Sequence, residues 1–375
     1  MDKRTFIKNS LYAAAALSLT PELLSCSTIK TQPKKQKNWV WVRPVSEWSV
    51  DDWKRKFDSF KAAGLDAVLA EVYNGNETFY EGGQLPMKSN VMEKLIIAGQ
   101  ASSVEIHAWM WTMPCNAASI IEKHPDWYAY NGLGQPAHTY PAYVPYYKFL
   151  CPCHPEVREF VRKNVESLSR ISELKGVHLD YVRLPDVILA EGLQPKYNIV
   201  QDKEYPEYDY SYSPECRRQF KAKTGVDPLT DLKDPSSYMD WVQFRRDSIT
   251  GLVNGLLVPE AKKYGKEITA AVFPNWENVR QEWHKWNLDG FLPMLYHNFY
   301  NRDIDFVGEH VKKGLERLDH KKPLYAGLFV PALNPGQLAD AIKVAREAGA
   351  FGFSLFDMHS LTVEHLTRVT ELRKR

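Results

Sequence analysis

From residue 38 onward, short apolar runs alternate with longer amphipathic stretches. The apolar runs have the length of strands, and the stretches between them place apolar residues three or four positions apart, as in helices. This alternation is typical of repeated βα units around a parallel sheet. Eight strands are predicted at 39–43, 66–72, 105–111, 176–182, 267–273, 290–296, 323–329 and 350–356. A helix is predicted after each, at 50–63, 91–102, 155–174, within 214–264, and at 278–286, 303–318, 335–348 and 362–373.

Eight βα units predict one α/β domain, a (β/α)8 TIM barrel. Two connections are too long to be turns: 113–153 after strand 3 and 184–213 after strand 4. Both follow the carboxyl ends of strands, where barrel enzymes build their active sites. The second is rich in tyrosine, which indicates either a binding wall or packed surface; these residues are Tyr197, Tyr205, Tyr208, Tyr210 and Tyr212.

The amino terminus has the pattern of an export signal. A short basic start precedes an apolar stretch at 11–19, which is too short to span a bilayer. Leu23, Leu24, Ser25 and Cys26 then resemble a bacterial lipoprotein processing site, so residues 1–25 are predicted to be removed and Cys26 to carry acyl chains such as palmitate. Sec and twin-arginine export both remain open. Residues 26–37 are predicted to be a flexible basic tether, and 38–375 the barrel.

The overall charge argues against a nucleic-acid binder. There are 48 Lys and Arg against 46 Asp and Glu, a formal charge of +2, whereas phosphate binding needs a concentrated basic face. The tether contains four lysines and no acid, so the barrel itself is net negative. No nucleic-acid partner is therefore expected. The lipid anchor makes a membrane an expected partner, and the protein is expected to be a monomer in the bacterial cell envelope.

Four further cysteines lie in the barrel sequence: Cys115, Cys151, Cys153 and Cys216. Export permits disulfides, although a domain of this size does not need them. The Cys151-Pro152-Cys153 spacing lacks a second Cys or His pair at the spacing of a zinc site. No cofactor or metal is therefore predicted.

The strongest candidate for chemistry is GVHLDYVRLPD at 176–186. Strand alternation directs His178 and Asp180 into the barrel and Tyr181 outward. Asp180 then ends strand 4 beside Arg183, where it would act as a nucleophile or stabilise an oxocarbenium-like centre. The alternative is a structural Asp-Arg pair that orders the loop.

Glycoside cleavage usually needs a second carboxyl group to deliver a proton. Glu71, Glu277 and Asp357 follow or end strands and are the three candidates, and Glu71 is flanked by the potential sugar ligands Tyr73 and Asn74. A spacing of about 5 Å from Asp180 would predict retention and a spacing of about 6.5–9.5 Å inversion.

Aromatic residues near strand ends suit a carbohydrate groove, because sugar rings stack on them through their C–H faces. Core packing is the alternative for each. The candidates are Trp109, Trp111, Trp276, Trp283, Tyr296 and His297.

Five segments together resemble the bacterial glycosyl-hydrolase-like family 10: HPDWYAYNGLGQP, FLCPCHPEVREFV, GVHLDYVRLPD, FKAKTGVDP and AAVFPNWENVRQEWHKWNLDGFLPMLY. The resemblance covers most of 38–357. It implies a (β/α)8 barrel, an exported lipoprotein and glycoside hydrolysis, on peptidoglycan in some relatives. It also places Asp180 on the family's strand-4 acidic motif and Trp283 on a Gln-Asp-Trp-like segment.

The sequence therefore predicts a lipid-anchored glycoside hydrolase that uses Asp180 and a second carboxylate. One alternative is a noncatalytic glycan-binding lipoprotein, which needs the aromatic groove but not the carboxylates. Another is a metal-dependent deacetylase or amidohydrolase, in which His107, His178, His297 and Asp357 would converge. The first strand, WVWVRP, lacks the His-x-His pair with which such barrels generally begin.

Overall fold

The computed structural model describes residues 36–373. The predicted signal peptide, the lipidation site Cys26 and most of the predicted tether lie outside these residues. From Gln36 onward the chain forms one compact unit.

The predicted barrel is confirmed. Its eight parallel strands are β1 (Trp39–Val42), β2 (Ala67–Tyr73), β3 (Glu105–Trp111), β4 (Gly176–Asp180), β5 (Glu267–Val272), β6 (Gly290–Pro293), β7 (Tyr325–Phe329) and β8 (Gly352–Phe356). They pair in the order β6-β5-β4-β3-β2-β1-β8-β7. Two parallel bridges, Phe291 with Leu324 and Met294 with Gly327, complete the circle between β6 and β7. Gly327 is required there, because a Cβ atom would lie 2.5 Å from the carbonyl oxygen of Pro293.

Ten α-helices lie within the described residues: α1 (Val50–Ala62), α2 (Val91–Ser102), α3 (Ala118–Lys123), α4 (Pro155–Ser169), α5 (Pro214–Thr224), α6 (Met239–Leu252), α7 (Val258–Lys263), α8 (Asp305–Arg317), α9 (Pro335–Glu347) and α10 (Val363–Arg373). Capping boxes at Ser49 and Asn334 fix the starts of α1 and α9. None of the helices in this part of the chain is long and apolar enough to cross a bilayer.

One predicted helix is wrong. Residues 278–286 form no α-helix, and two short 3₁₀ turns, Trp276–Val279 and Trp283–Lys285, lie in this region instead. Arg280 between them has a positive φ of 54°, which ends helical geometry. The neighbouring Gln281 is fully buried, and its Oε1 accepts a hydrogen bond from the backbone N–H of Phe273 at 2.9 Å.

Aromatic rings fill the barrel interior. Trp39 and Trp41 point inward from β1, while Val40 and Val42 face the helices. Trp41 meets Trp109 and His178 edge to face at 4.8 and 4.6 Å between ring centroids. Such pairs stabilise a core by about 0.5–1.5 kcal/mol each beyond their area. This aromatic layer forms a rigid floor under the carboxyl ends of the strands.

Candidate active site

A cavity of about 270 Å³ opens at the carboxyl ends of the barrel strands. More than half of its lining residues are aromatic, and they come from strand ends, from the two long loops and from the loop after β6. Those that the sequence predicted are Trp109, Trp111, Asp180, Arg183 and Tyr296. The structure therefore brings together part of the predicted site above the aromatic floor.

Asp180 ends β4 and lies on the wall of this cavity. Its Oδ2 accepts a hydrogen bond from Trp109 Nε1 at 3.0 Å, and its Oδ1 accepts one from the backbone N–H of Tyr181 at 2.7 Å. Burial raises the pKa of Asp180 to about 6, against the opposing effects of these hydrogen bonds and of Arg183. The carboxyl group is thus oriented by two donors and costly to ionise.

Glu71 lies two strands away, on β2, and is also buried. Its Oε2 accepts a hydrogen bond from Trp111 Nε1 at 3.2 Å and lies 3.5 Å from Arg43 Nε. Burial raises its pKa to about 7, although Arg43 and Trp111 oppose the rise, and the charge of Asp180 contributes to it. Glu71 is not itself among the lining residues of the cavity, but it contacts Arg43 and Trp111, which line it.

The strand between these two carboxylates positions both of them. Trp109 and Trp111 are two residues apart on β3, so both indoles face the barrel axis. One indole donates to Asp180 on β4 and the other to Glu71 on β2. The strand sequence EIHAWMW therefore places one indole N–H donor beside each of the two carboxyl groups.

Arg43 follows β1 and joins Glu71 to Asp357. Its Nη1 lies 3.1 Å from Asp357 Oδ2, and its guanidinium lies over the rings of Trp109 and Phe356. The other oxygen of Asp357, Oδ1, accepts the backbone N–H of His359 at 3.1 Å. Both oxygens of Asp357 are thus engaged in fixed contacts beside the cavity.

Arg183 is buried at the base of the cavity wall. It donates to Asp186 Oδ2 at 3.0 Å and to the hydroxyl of Tyr147 at 3.2 Å. Its guanidinium also lies 4.6 Å from the ring centroid of Phe273 and 5.1 Å from that of Tyr181. The Asp-Arg pair proposed as a structural alternative exists, but with Asp186 as the partner.

The two long loops form one connected wall. Tyr143 stacks on Tyr208 at 4.6 Å between centroids and donates from its hydroxyl to the backbone oxygen of Asp186 at 2.7 Å. The loop after β4 continues to the loop after β6, where the backbone N–H of Gly192 donates to the oxygen of Phe299 at 2.8 Å. The sequence predicts that the tyrosine-rich loop is either a binding wall or packed surface. Tyr197 lines the cavity and so belongs to the wall, whereas Tyr208 packs behind it against Tyr143.

Tyr181 differs from its predicted outward orientation. β4 ends at Asp180, and Tyr181 adopts a positive φ of 51°. The alternation of the strand therefore stops, and the ring lines the cavity.

Several predicted ligands lie away from the cavity. Tyr73 points outward because the register between β2 and β3 shifts after Glu71, and its hydroxyl accepts from Asn164 of α4 at 3.1 Å. The side chain of Asn74 forms hydrogen bonds within its own turn, where its Oδ1 accepts from the backbone N–H groups of Asn76 and Glu77. His178 lies in the barrel interior, where its Nδ1 is 2.8 Å from Thr269 Oγ1.

The segment after β5 folds back along the outside of the barrel. Trp276 is buried there beneath the guanidinium groups of Arg246 and Arg317. Glu277 is exposed and lies 3.6 Å from Arg317. Trp283 is buried and donates from Nε1 to the backbone oxygen of Phe273 at 2.9 Å. None of these three residues, Trp276, Glu277 and Trp283, lines the cavity.

The four residues of the metal-dependent alternative do not converge. His107 lies near the opposite end of the barrel, 3.4 Å from Glu105. His178 is bonded to Thr269, and His297 lines a separate surface depression with Arg302. In residues 36–373, the groups of three that could hold a metal ion are Cys151, Cys153 and Cys216, and Glu105, His107 and Glu267. Neither group lines the cavity.

Some cavity residues were not predicted. Arg43 could have been found, because Trp39, Trp41 and Arg43 alternate along β1 and share its inward face. No comparable sequence pattern identifies Tyr143 and Tyr147, because their positions depend on how a long irregular loop folds against Arg183 and Asp186.

The fold and the site define a class: a (β/α)8 barrel of the glycoside-hydrolase-like kind, with buried carboxylates under an aromatic cavity at the strand ends. The chain belongs to the Glycosyl hydrolase-like 10 family, whose model matches residues 39–334. This confirms the family resemblance found in the sequence. Among curated proteins, none matches the chain significantly.

Solved structures with a similar fold are glycoside hydrolase barrels. The PgaB (BpsB) glycoside hydrolase domain from Bordetella bronchiseptica is 14% identical, with a TM-score of 0.66 over 90% of this chain and 98% of that one. The β-amylase catalytic domain from Paenibacillus polymyxa is 12% identical, with a TM-score of 0.63 over 89% and 97%. A β-galactosidase from Marinomonas ef1 is 13% identical, with a TM-score of 0.62 over 90% of this chain and 59% of that one. At these identities the likeness shows the fold.

Proposed function

We propose that the protein hydrolyses glycosidic bonds of an oligo- or polysaccharide, with Asp180 and Glu71 as its two carboxyl groups. The observation that carries this proposal is the pair of β3 indoles, which orient one buried carboxyl on each side. Two carboxyl groups with different environments are what acid-assisted glycoside cleavage requires.

The different environments of Glu71 and Asp180 support different catalytic roles for the two carboxyl groups. Glu71, with a pKa of about 7, is the group that stays protonated near neutral pH and delivers a proton to the departing glycosidic oxygen. Asp180, with a pKa of about 6 and two hydrogen-bond donors, is the ionised partner that faces the anomeric carbon or its attacking water. Asp357 is a weaker candidate, because Arg43 and the N–H of His359 occupy its two oxygens.

The cavity lining supports a sugar as the substrate. Tyr296, Phe329 and Phe356 offer ring faces at the strand ends, and Trp111 and Tyr146 do so nearer the loops. Stacking on such faces suits the C–H surface of a pyranose. The wall made by the loops after β3, β4 and β6 blocks one side, so we propose that the cavity receives the end of a glycan chain.

We further propose that the enzyme works at the bacterial cell envelope, held there by acyl chains on Cys26. Support for the location comes from the sequence alone, through the export signal at 1–25 and the processing site before Cys26. Its substrate would then be a glycan reached from the membrane surface.

The test is to incubate the purified protein with peptidoglycan, plant and host glycans and to identify the products by mass spectrometry. Short products released from chain ends are expected. Asp180→Asn and Glu71→Gln should each lower kcat by about 10²–10⁴-fold. Glu277→Gln is the matched control, because this exposed carboxylate lies outside the cavity and its loss should leave kcat unchanged.

Two outcomes would contradict the proposal. Full activity in Asp180→Asn would exclude this residue as an essential catalytic group. Tight glycan binding without any product, in the wild type, would instead support the glycan-binding alternative.

A further inference from the structure

Three cysteine sulfurs meet on the outer side of the barrel, away from the proposed active site. Cys153 and Cys216 form a disulfide that joins the end of the loop after β3 to α5, with 5.4 Å between their Cα atoms. The third sulfur, that of Cys151, lies 3.4 Å from Cys216 Sγ. The C-x-C spacing did not predict this cluster, since Cys216 is 63 residues away from Cys153 in the chain.

The contact places the Cys151 sulfur 3.4 Å from one sulfur of the Cys153–Cys216 disulfide. We propose that these cysteines form an exchangeable set in which Cys216 pairs with either Cys153 or Cys151. The thiolate of Cys151 attacks Cys216 Sγ, the Cys151–Cys216 bond forms, the Cys153–Cys216 bond breaks, and Cys153 leaves as a thiolate. The number of disulfides stays the same, so no external oxidant or reductant takes part.

Burial raises the pKa of the Cys151 thiol, and a hydrogen bond with Ser213 opposes that rise. Cys151 Sγ lies 2.9 Å from Ser213 Oγ, and Cys216 Sγ lies 3.2 Å from Ser211 Oγ. The Ser213 hydroxyl can donate a hydrogen bond to the Cys151 thiolate before it attacks. Both pairings also tie the same segment, 151–153, to the same helix, so exchange needs no large backbone movement.

The two isomers leave different thiols free. Cys151 is fully buried, and Cys153, although only 4% exposed, lines a surface groove of about 550 Å³ together with Arg158 and Gln219. Exchange therefore moves the free thiol from the core to the floor of this groove. Cys153 would then be a modification site for a small electrophile or a low-molecular-weight disulfide.

Alkylation of the native protein can trap the minor isomer. The full chain is treated with N-ethylmaleimide at about pH 8.5, near the ordinary pKa of a thiol, then denatured in acid and digested with trypsin. Residues 149–158 form one tryptic peptide that contains both Cys151 and Cys153, so fragment ions must locate the label. We expect the label on Cys153, with Cys151 linked to Cys216. Cys115 is the internal control, because it is buried and free and has no disulfide partner.

Two variants make the result decisive. Cys151→Ser should abolish labelling of Cys153 in the native protein, because the attacking thiol is gone. Cys153→Ser should form the Cys151–Cys216 disulfide and leave neither sulfur free after denaturation. The proposal is overturned if native wild-type protein keeps only the Cys153–Cys216 bond, with no label on Cys153 at any time. It is also overturned if Cys153→Ser folds with both remaining thiols free.

Discussion

Asp180, one of the two proposed catalytic groups, shows at the scale of one residue how burial of a carboxyl group opposes the stability of the fold. Its pKa rises from an ordinary value of 3.8 to about 6 because the folded protein buries it. The folded state therefore binds the proton more tightly than the unfolded state, and folding loses stability as pH rises between these two values. Above the higher value, this burial costs on the order of 3 kcal/mol.

Asp180→Asn should accordingly stabilise the fold at neutral and higher pH, because it removes the buried charge while keeping the shape. We expect a higher melting temperature than that of the wild type at about pH 8, and a gap that narrows towards about pH 4, where Asp180 is protonated in the folded wild type. Thermal unfolding followed by circular dichroism at several pH values measures the melting temperatures of both proteins and how their difference changes with pH. An equal gap at all pH values would show that the charge of Asp180 is not its cause.

Arg43 is the cation that faces both proposed catalytic carboxyl groups. Its charge lowers the pKa of Glu71 and of Asp180 from the values that burial alone would give. In Arg43→Met, both pKa values should rise, by up to about one pH unit given the partial exposure of the arginine. Arg43→Lys, which keeps the charge, should change them less.

The measurement for Arg43 is a ¹³C NMR titration of the side-chain carboxyl carbons, with Glu71→Gln and Asp180→Asn used for assignment. The same shift should move the pH optimum of kcat/KM upward, because ionised Asp180 sets the acid limb and protonated Glu71 the alkaline limb. A titration in which neither carboxyl responds to Arg43→Met would remove Arg43 from the electrostatics of the site.

At the scale of elements, a buried ion network attaches the loop after β4 to α6. Asp209 accepts hydrogen bonds from Arg245 and, at 3.4 Å, from Arg280, and its other oxygen accepts from Tyr212 at 2.7 Å. Burial alone would raise the pKa of Asp209, but the two guanidinium groups hold it below its ordinary value. The network stabilises the fold at neutral pH and loses that contribution as pH falls through the folded-state pKa of Asp209.

Asp209→Ala should cost about 3–5 kcal/mol, because it leaves Arg245 buried without its carboxylate. Urea unfolding at neutral pH measures the loss, which should shrink in acid as the wild-type network weakens. Asp202→Ala is the matched control on the same loop, since this exposed residue should change stability by no more than about 0.5 kcal/mol. A small effect of Asp209→Ala would mean that the stability of the fold does not depend on this network.

The elements also show what the sequence could and could not predict. Periodicity was sufficient for the eight strands and for Asp180 at the end of β4, because strand alternation is a local property. Periodicity failed at Tyr73, where a register shift turns the side chain away from the barrel interior. It also failed at 278–286, where the buried side chain of Gln281 accepts a backbone hydrogen bond and no α-helix forms. Glu277 follows β5 in sequence, yet its turn carries it to the outside of the barrel beside Arg317. Such outcomes depend on distant packing partners that no local pattern encodes.

For the whole molecule, the charges are distributed along the chain in a way that suits a surface-held enzyme. The formal charge of +2 combines a basic amino-terminal region with a net negative barrel, so attraction to anionic lipid would come from the tether lysines. Charge attraction of this size is weak and salt-dependent. Under the proposed anchoring, stable membrane association would depend on acylation of Cys26, since two or more acyl chains give lasting anchoring where one chain does not.

Cys26→Ser should release the protein from membranes without affecting the barrel, because the thiol that accepts the lipid is lost. In a bacterial host fed radiolabelled palmitate, the wild type should incorporate label and partition into the detergent phase of Triton X-114. The variant should incorporate none and remain in the aqueous phase, with an unchanged melting temperature. Ser27→Ala is the matched control and should behave as the wild type does. If the wild type is unlabelled and aqueous at physiological salt, then the region before residue 38 is an ordinary export signal, and the substrate must be sought among soluble glycans.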